Sequence, residues 1–236
     1  MTAARIAVVI PVLGDHAELA RLLRLVRSQQ PEAIVVVSGG ADVRAAALCR
    51  EHDCTYLETA ANRGAQLDAG ARASTAPVLW FLHADAAPPA NALRAINAAL
   101  RSGAESGCFR FAFQGPATWY KRLLEWLVAL RVRCGGMVYG DQGVFVRRDV
   151  YLECDGFAPL PLFEEARLVR RLRARGTFVV LPQALGVATR RWERDGWWRR
   201  TLHNRWLATR FMVGARPEAL AASYRRLLRS GQEPEP

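Results

Sequence analysis

Apolar residues in the first part of the chain fall in short unbroken runs separated by amphipathic stretches, a pattern that predicts alternating strands and helices. Ile6, Val8, Val9 and Ile10 form a buried strand over 5–12 that ends at Pro11. A second run covers 33–37 and a short one 55–58, and Pro77 opens a central run, Val78-Leu79-Trp80-Phe81-Leu82. Runs without a polar break belong to strands covered on both faces. Between them, helices are predicted over 17–28 (apolar face Leu19, Leu22, Leu23, Val26), around 43–51, over 65–74 and over 91–101. Asp15 followed by Glu18 has the form of a capping box at the first of these. Strand–helix alternation at this spacing requires parallel pairing with right-handed crossovers.

Beyond residue 105 the rhythm changes. Phe109, Phe111 and Phe113 alternate with Arg110 and Ala112, which predicts a half-exposed strand over 108–113. A basic amphipathic helix over 119–132 carries Leu123, Leu127 and Leu130 on one face. Gly135-Gly136 and Gly140 mark loops, and a short strand covers 144–146. A helix follows over 163–173 with Glu164 and Glu165 in its first turn, then two short strands over 178–181 and 185–189. Residues 196–229 read as mostly helical, and 231–236 as a disordered tail. No internal repeat is present.

Length and composition, 236 residues with 51% hydrophobic and 23% charged, are those of a soluble globular protein with a substantial core. No apolar run is long enough to span a bilayer, and Met1-Thr2-Ala3-Ala4-Arg5 leads into a strand, so the expected location is the cytoplasm. The five cysteines (Cys49, Cys54, Cys108, Cys134, Cys154) are odd in number and widely spread, which supports neither a disulfide framework nor a zinc site. Net charge is +11, unevenly placed: residues 1–116 hold 11 basic and 10 acidic groups (+1), residues 117–236 hold 22 and 12 (+10). A basic second half points to an anionic partner: phosphates, a membrane surface or nucleic acid. The first strand runs into Pro11-Val12-Leu13-Gly14-Asp15 instead of G-x-G-x-x-G, which argues against hydride transfer. A phosphate-binding G-x-x-x-x-G-K-[ST] loop is also missing.

In open α/β sheets the chemistry sits in the crevice beyond the carboxyl ends of the strands. The central run ends in His83-Ala84-Asp85, and residues one apart on an extended strand end point to the same side. They can converge on one metal ion, or simply form a polar turn.

These pieces together resemble glycosyltransferase family 2, within it the small soluble group of selenodomain-associated transferases. The resemblance rests on the order and spacing of Val9-Ile10-Pro11-Val12-Leu13, Val36-Val37-Ser38-Gly39-Gly40, Asn62-Arg63-Gly64-Ala65-Gln66, Leu82-His83-Ala84-Asp85, Tyr139-Gly140-Asp141-Gln142-Gly143, Phe163-Glu164-Glu165 and Arg190-Arg191-Trp192. It implies a GT-A fold: a Rossmann-like, mixed, mostly parallel sheet flanked by helices with a helical C-terminal region. It implies a single domain over 1–230, with a nucleotide-binding half (1–104) and an acceptor half with the C-terminal helices (105–230). The implied activity is inverting, metal-dependent transfer of a sugar from a nucleotide-diphosphate sugar, most often a UDP-sugar, to an acceptor hydroxyl, which a lipid can carry.

By the same resemblance His83-Ala84-Asp85 stands where the family has D-x-D, so Asp85 is expected to hold Mn2+ or Mg2+. His83 is left between direct ligation, a water-bridged contact and sugar binding. An imidazole tilts the preference toward manganese. Pro11, Val12, Gly14, Ser38, Gly39, Arg63, Gln66, Asp68 and Arg191 are the expected donor-binding residues, and Ser38 replaces the family's uracil-side aspartate. Arg63 and Arg191 suit a diphosphate through their forked donors. Glu165 takes the place of the general base, which single displacement requires opposite the leaving group. Asp141, Gln142, Glu164 and Trp192 are expected to hold acceptor or sugar. Taken alone, Glu164 and Glu165 would only complement a helix dipole, as would Asp68.

Two other classes compete. The basic half with interleaved tryptophans suits a nucleic-acid-binding protein, but no nucleic-acid module appears and none is expected as partner. A sugar nucleotidyltransferase would need a glycine-rich basic loop after the first strand, which is absent. Separately, 119–133 and 197–210 set arginine beside tryptophan and leucine, which suits an anionic membrane surface and a location peripheral to the inner face of the membrane.

Overall fold

A computed structural model describes residues 4–230; the expected disordered tail, 231–236, lies outside the described residues. The elements run β1 (Ile6–Val12), α1 (His16–Arg27), β2 (Ala33–Ser38), α2 (Val43–Glu51), β3 (Thr55–Glu58), α3 (Arg63–Ala73), β4 (Val78–Phe81) and α4 (Ala92–Arg101). Then come β5 (Ser106–Phe113), α5 (Trp119–Arg133), β6 (Phe145–Arg147), α6 (Arg148–Glu153), α7 (Ala166–Ala174), β7 (Phe178–Val187), α8 (Arg190–Asp195), α9 (Trp197–Met212) and α10 (Pro217–Ser230).

The strands form one seven-stranded sheet in the order β3-β2-β1-β4-β6-β5-β7. The first four are parallel, β6 runs antiparallel to both β4 and β5, and β7 is parallel to β5. A single sheet therefore runs through both halves of the chain, joined at β4–β6. Alternation along β1 builds a core on each face. Ile6, Val8, Ile10 and Val12 pack with Leu19, Leu22, Leu23 and Val26 of α1 and Leu93 and Ile96 of α4. Ala7 and Val9 pack with Leu67 and Ala71 of α3, Phe81, Tyr151, and Leu168 and Leu172 of α7. Burial on both faces explains why these strands read as unbroken apolar runs.

Several local expectations are corrected. Pro11 lies inside β1, not at its end. Pairing with β4 stops at Val9–Phe81, so the strand end carrying Pro11 has a ladder partner on one side only and tolerates a residue with no N–H. The capping box at α1 does not form: Asp15 makes no side-chain cap, and Glu18 instead takes Arg21 at 3.0 Å. Side-chain caps appear at Asp42, Asn62 and Thr118. The two short strands expected over 178–189 are one strand, β7, in which a bulge after Leu181 absorbs Pro182 and Gln183. In α5 the buried side is Lys121, Leu124 and Val132, whereas Leu123 and Leu130 face outward.

Candidate active site

Beyond the carboxyl ends of the strands, where β4 meets β6, a cleft of about 540 Å³ opens. Four pieces of chain define it: the turn after β4 (His83, Asp85), the 3-10 turn Gly140–Gln142, the loop before α7 (Phe163, Glu165) and the first residue of α3, Arg63. The C-terminal helices close it with Arg191, Trp192, Arg200, Asn204 and Tyr224.

His83 and Asp85 reach the cleft by a different route from the one their spacing implies. β4 stops at Phe81, and the Ala86 N–H donates to the His83 carbonyl at 3.0 Å, closing a turn that carries both side chains. Arg21 and Gln114 fix that turn by donating to the Asp85 carbonyl at 3.1 and 3.0 Å. His83 Nε2 is buried without a partner, against Gly140, where an added Cβ would lie 2.7 Å from it. Burial, then Arg63 and Arg191, hold its imidazole well below the ordinary histidine range, so the ring is neutral.

Glu165 is 2% exposed, opens into the same cleft and keeps a buried Oε2 with no partner. Burial, with Glu164 beside it, pushes its carboxyl up to about 8, against the pull of Arg63. Glu164 points elsewhere: it grips Arg63 through both oxygens, with Nη2 to Oε2 at 2.9 Å. The clamp pairs Arg63 with Glu164, and Arg63 still opposes the rise at Glu165 without cancelling it. The loop is forced as well as paired. Phe163 has φ +62°, an unusual conformation for an aromatic residue, and is held there by packing on Phe211 with ring centroids 4.7 Å apart. Asp141 carries a buried, unpartnered Oδ1, and burial raises its carboxyl to about 6, with Asp85 adding and Arg131 and Arg63 opposing.

Of the other expected residues, Arg191 and Trp192 lie in the first turn of α8 and line the cleft; Trp192 is braced edge-on by Phe113 at 5.0 Å. Pro11, Val12, Gly14, Ser38 and Gly39 lie at the carboxyl ends of β1 and β2 and are not part of the cleft lining; Pro11, Val12 and Ser38 are buried, and the Gly39 N–H donates to the Val12 carbonyl at 3.0 Å. Three of the expected ligand-binding residues have structural work instead. Gln66 is buried and donates to the Val12 and Val37 carbonyls at 3.0 and 2.8 Å, tying β1 to β2. Asp68 accepts from Tyr151 at 3.0 Å and Arg72 at 2.7 Å. Gln142 is 1% exposed and points at the Phe109 carbonyl. Glu164 joins them as a clamp rather than a wall of the cleft.

Three more residues line the cleft beyond those expected there: Tyr139, which the motif around Gly140 contains without an assigned role, and Arg200 and Tyr224, which no motif marks. Arg131 stacks 4.3 Å from the Tyr139 ring. Arg200, 2% exposed, donates to Asp195 at 2.7 Å and to the Tyr224 hydroxyl. Nothing in a local pattern distinguishes Arg200 from the solvated arginines of the same helix.

Among the described residues no group of three or more His, Cys, Asp or Glu side chains forms a metal cage. One carboxylate (Asp85) and one neutral imidazole with an unused ring nitrogen (His83) line the cleft and are of a chemistry that would suit a divalent cation.

No curated protein sequence matches the chain. Among solved structures it is similar to glucosyl-3-phosphoglycerate synthase from Mycobacterium tuberculosis in complex with Mn2+, uridine diphosphate and glucosyl-3-phosphoglycerate, at TM-score 0.59 and 15% identity over 77% of this chain and 70% of that one. It is also similar to S. aureus TarS 1–349 at TM-score 0.63 and 12% identity, over 78% of this chain and 60% of that one. At such identities the likeness is one of fold. The sequence profile described as Glycosyl transferase family 2 matches residues 7–157, from the start of β1 past the 3-10 turn and α6, and the chain belongs to that family of glycosyltransferases.

Proposed function

We propose that the protein transfers a sugar from a nucleotide-diphosphate sugar, of the UDP class, to an acceptor hydroxyl with inversion at the anomeric carbon. The observation that carries this reading is that Glu165 and Asp85 open into one cleft. The nucleotide lies at the carboxyl ends of β1 and β2, near Gly14 and Gly39, with its diphosphate toward Asp85 and Arg191. The acceptor enters from the side of Asp141 and Trp192. Its oxygen attacks the anomeric carbon as the bond to the diphosphate breaks; the diphosphate leaves with the electron pair, and Glu165 takes the acceptor's proton. A carboxyl raised to about 8 is a stronger base than an ordinary glutamate once ionised. Arg191 opposes the growing negative charge. Asp85 and His83 would hold a divalent cation, manganese or magnesium, which when bound neutralises charge on the departing diphosphate. Structures of the M. tuberculosis synthase with Mn2+ and UDP-glucose, and of TarS with UDP-GlcNAc, support the donor class and the metal.

Thermal unfolding with UDP, GDP and their sugars, with and without Mn2+, tests this. UDP with Mn2+ is expected to raise Tm more than either alone, because only the native state binds them. Asp85→Ala should abolish the metal-dependent part of the shift. No shift with any nucleotide would overturn the reading.

A further inference from the structure

On α5 the residues Trp119, Leu123, Trp126, Leu130 and Arg133 recur at helical spacing and all lie on the solvent side. The three largest departures from a polar surface there are Trp119 at 70% exposed, Trp126 at 59% and Leu130 at 42%. α9 repeats the arrangement with Trp198, Leu202, Trp206 and Met212, Leu202 and Met212 being 65% exposed each. The stripes meet where the rings of Trp119 and Trp198 come within 6.3 Å of each other. Val213, 75% exposed, follows directly at the end of α9; the other large exposed apolar side chains among the described residues are Leu13, Leu25, Val43, Leu152 and Val180. An apolar surface concentrated this way marks an interaction site.

The charges around it choose the partner. Arg122, Arg133, Arg205 and Arg210 are exposed on the same two helices. α9 contains no acidic residue, and the one in α5, Glu125, is engaged by the Phe113 N–H at 2.8 Å. Tryptophan and leucine flanked by arginine, without carboxylates, match the boundary of an anionic bilayer, where indoles sit at headgroup depth and guanidinium groups meet lipid phosphates. No described helix is long and apolar enough to cross a membrane. The inner sides of these helices enclose a small apolar pocket of about 110 Å³ between Leu124, Leu127, Val128 and Trp192, which shares Tyr139, Asp141 and Trp192 with the cleft.

We propose that the face formed by α5 and α9 seats on an anionic lipid bilayer, so that the acceptor side of the cleft opens at the membrane surface toward an acceptor carried by lipid. The acceptor clause rests on the glycosyltransferase reading; the docking does not. Co-sedimentation of the full chain with phosphatidylcholine vesicles, with and without about one third phosphatidylglycerol, tests the docking without any sugar transfer. The wild type is expected to pellet with the anionic vesicles and to be released in part at 0.5 M salt, since the screening length falls from about 8 Å at physiological ionic strength to about 4 Å there. Trp126→Ser combined with Trp206→Ser, both at exposed positions, should lower the partition coefficient at least tenfold with Tm unchanged. Tryptophan fluorescence of the wild type should be quenched by brominated anionic lipid. A wild type that stays in the supernatant, or a double variant that pellets as well as the wild type, would overturn the proposal. So would a dimer in light scattering that the double variant dissociates, because a second copy would then be the occupant.

Discussion

Glu165 illustrates how a single side chain takes its chemistry from partners far away in sequence. Its carboxyl is raised by burial and by Glu164, whose own charge is spent on Arg63, 101 residues distant. Glu165→Gln removes the proton acceptor, and transfer should fall about 10²–10⁴-fold while UDP binding persists. The wild-type rate should climb with pH and pass through half of its plateau near pH 8, where half of the carboxyl is ionised. Stability should move the other way. The unfolded glutamate ionises near 4.5 and the folded one near 8, so folding retains a proton across that window and stability is lost as pH rises through it. Glu165→Gln should therefore raise Tm at pH 8 and leave it unchanged at pH 4, which scanning calorimetry would show. At this scale the sequence was partly legible. Asp85, Arg191 and Trp192 could be picked from motif positions and lie in the cleft, whereas Gln66, Asp68 and Gln142 looked equally eligible and have backbone or side-chain partners instead.

Elements meet at the site through close approaches that only small residues permit. At Gly64, in the first turn of α3, an added Cβ would stand 2.0 Å from the Ala158 carbonyl oxygen. Gly64→Ala should push α3 from the loop that carries Glu164 and Glu165, cost about 1–3 kcal/mol as overpacked cores do, and lower Tm by about 2–4 °C per kcal/mol. Gly140→Ala would meet His83 Nε2 at 2.7 Å and should weaken Mn2+-dependent stabilisation with little loss of fold, read by the same melts. The strand runs and amphipathic helices were legible because each is set by burial within about a dozen neighbouring residues. The bulge in β7 and the 3-10 turn were not, since register against β5 and packing beneath His83 decide them.

For the whole molecule, the C-terminal helices complete a cleft that the sheet only begins. Leu207 and Leu220 pack with Phe163, and the Tyr224 hydroxyl accepts from Arg200. A chain ending at residue 216 should keep the sheet, seen as unchanged β-sheet ellipticity and cooperative unfolding. It should lose at least about tenfold in kcat/KM, because the Phe163–Glu165 loop loses its backing. The uneven charge also finds its place: apart from Arg63, the basic second half supplies the arginines of the cleft, Arg191, Arg194 and Arg200, as well as those beside the exposed tryptophans of α5 and α9.

The sequence by itself determined the parallel α/β half, the absence of dinucleotide and phosphate-loop fingerprints, the family, and the short list from which a site could be drawn. Those features are written in local periodicity and in motifs a few residues long. Which acidic residue keeps its proton, which arginine is spent on a clamp, and which face of α5 is left to solvent were decided by the tertiary structure. They depend on desolvation and on partners distant in the chain, Arg63 for Glu164 and Val187 for Leu124, and no short window of sequence contains both members of such a pair.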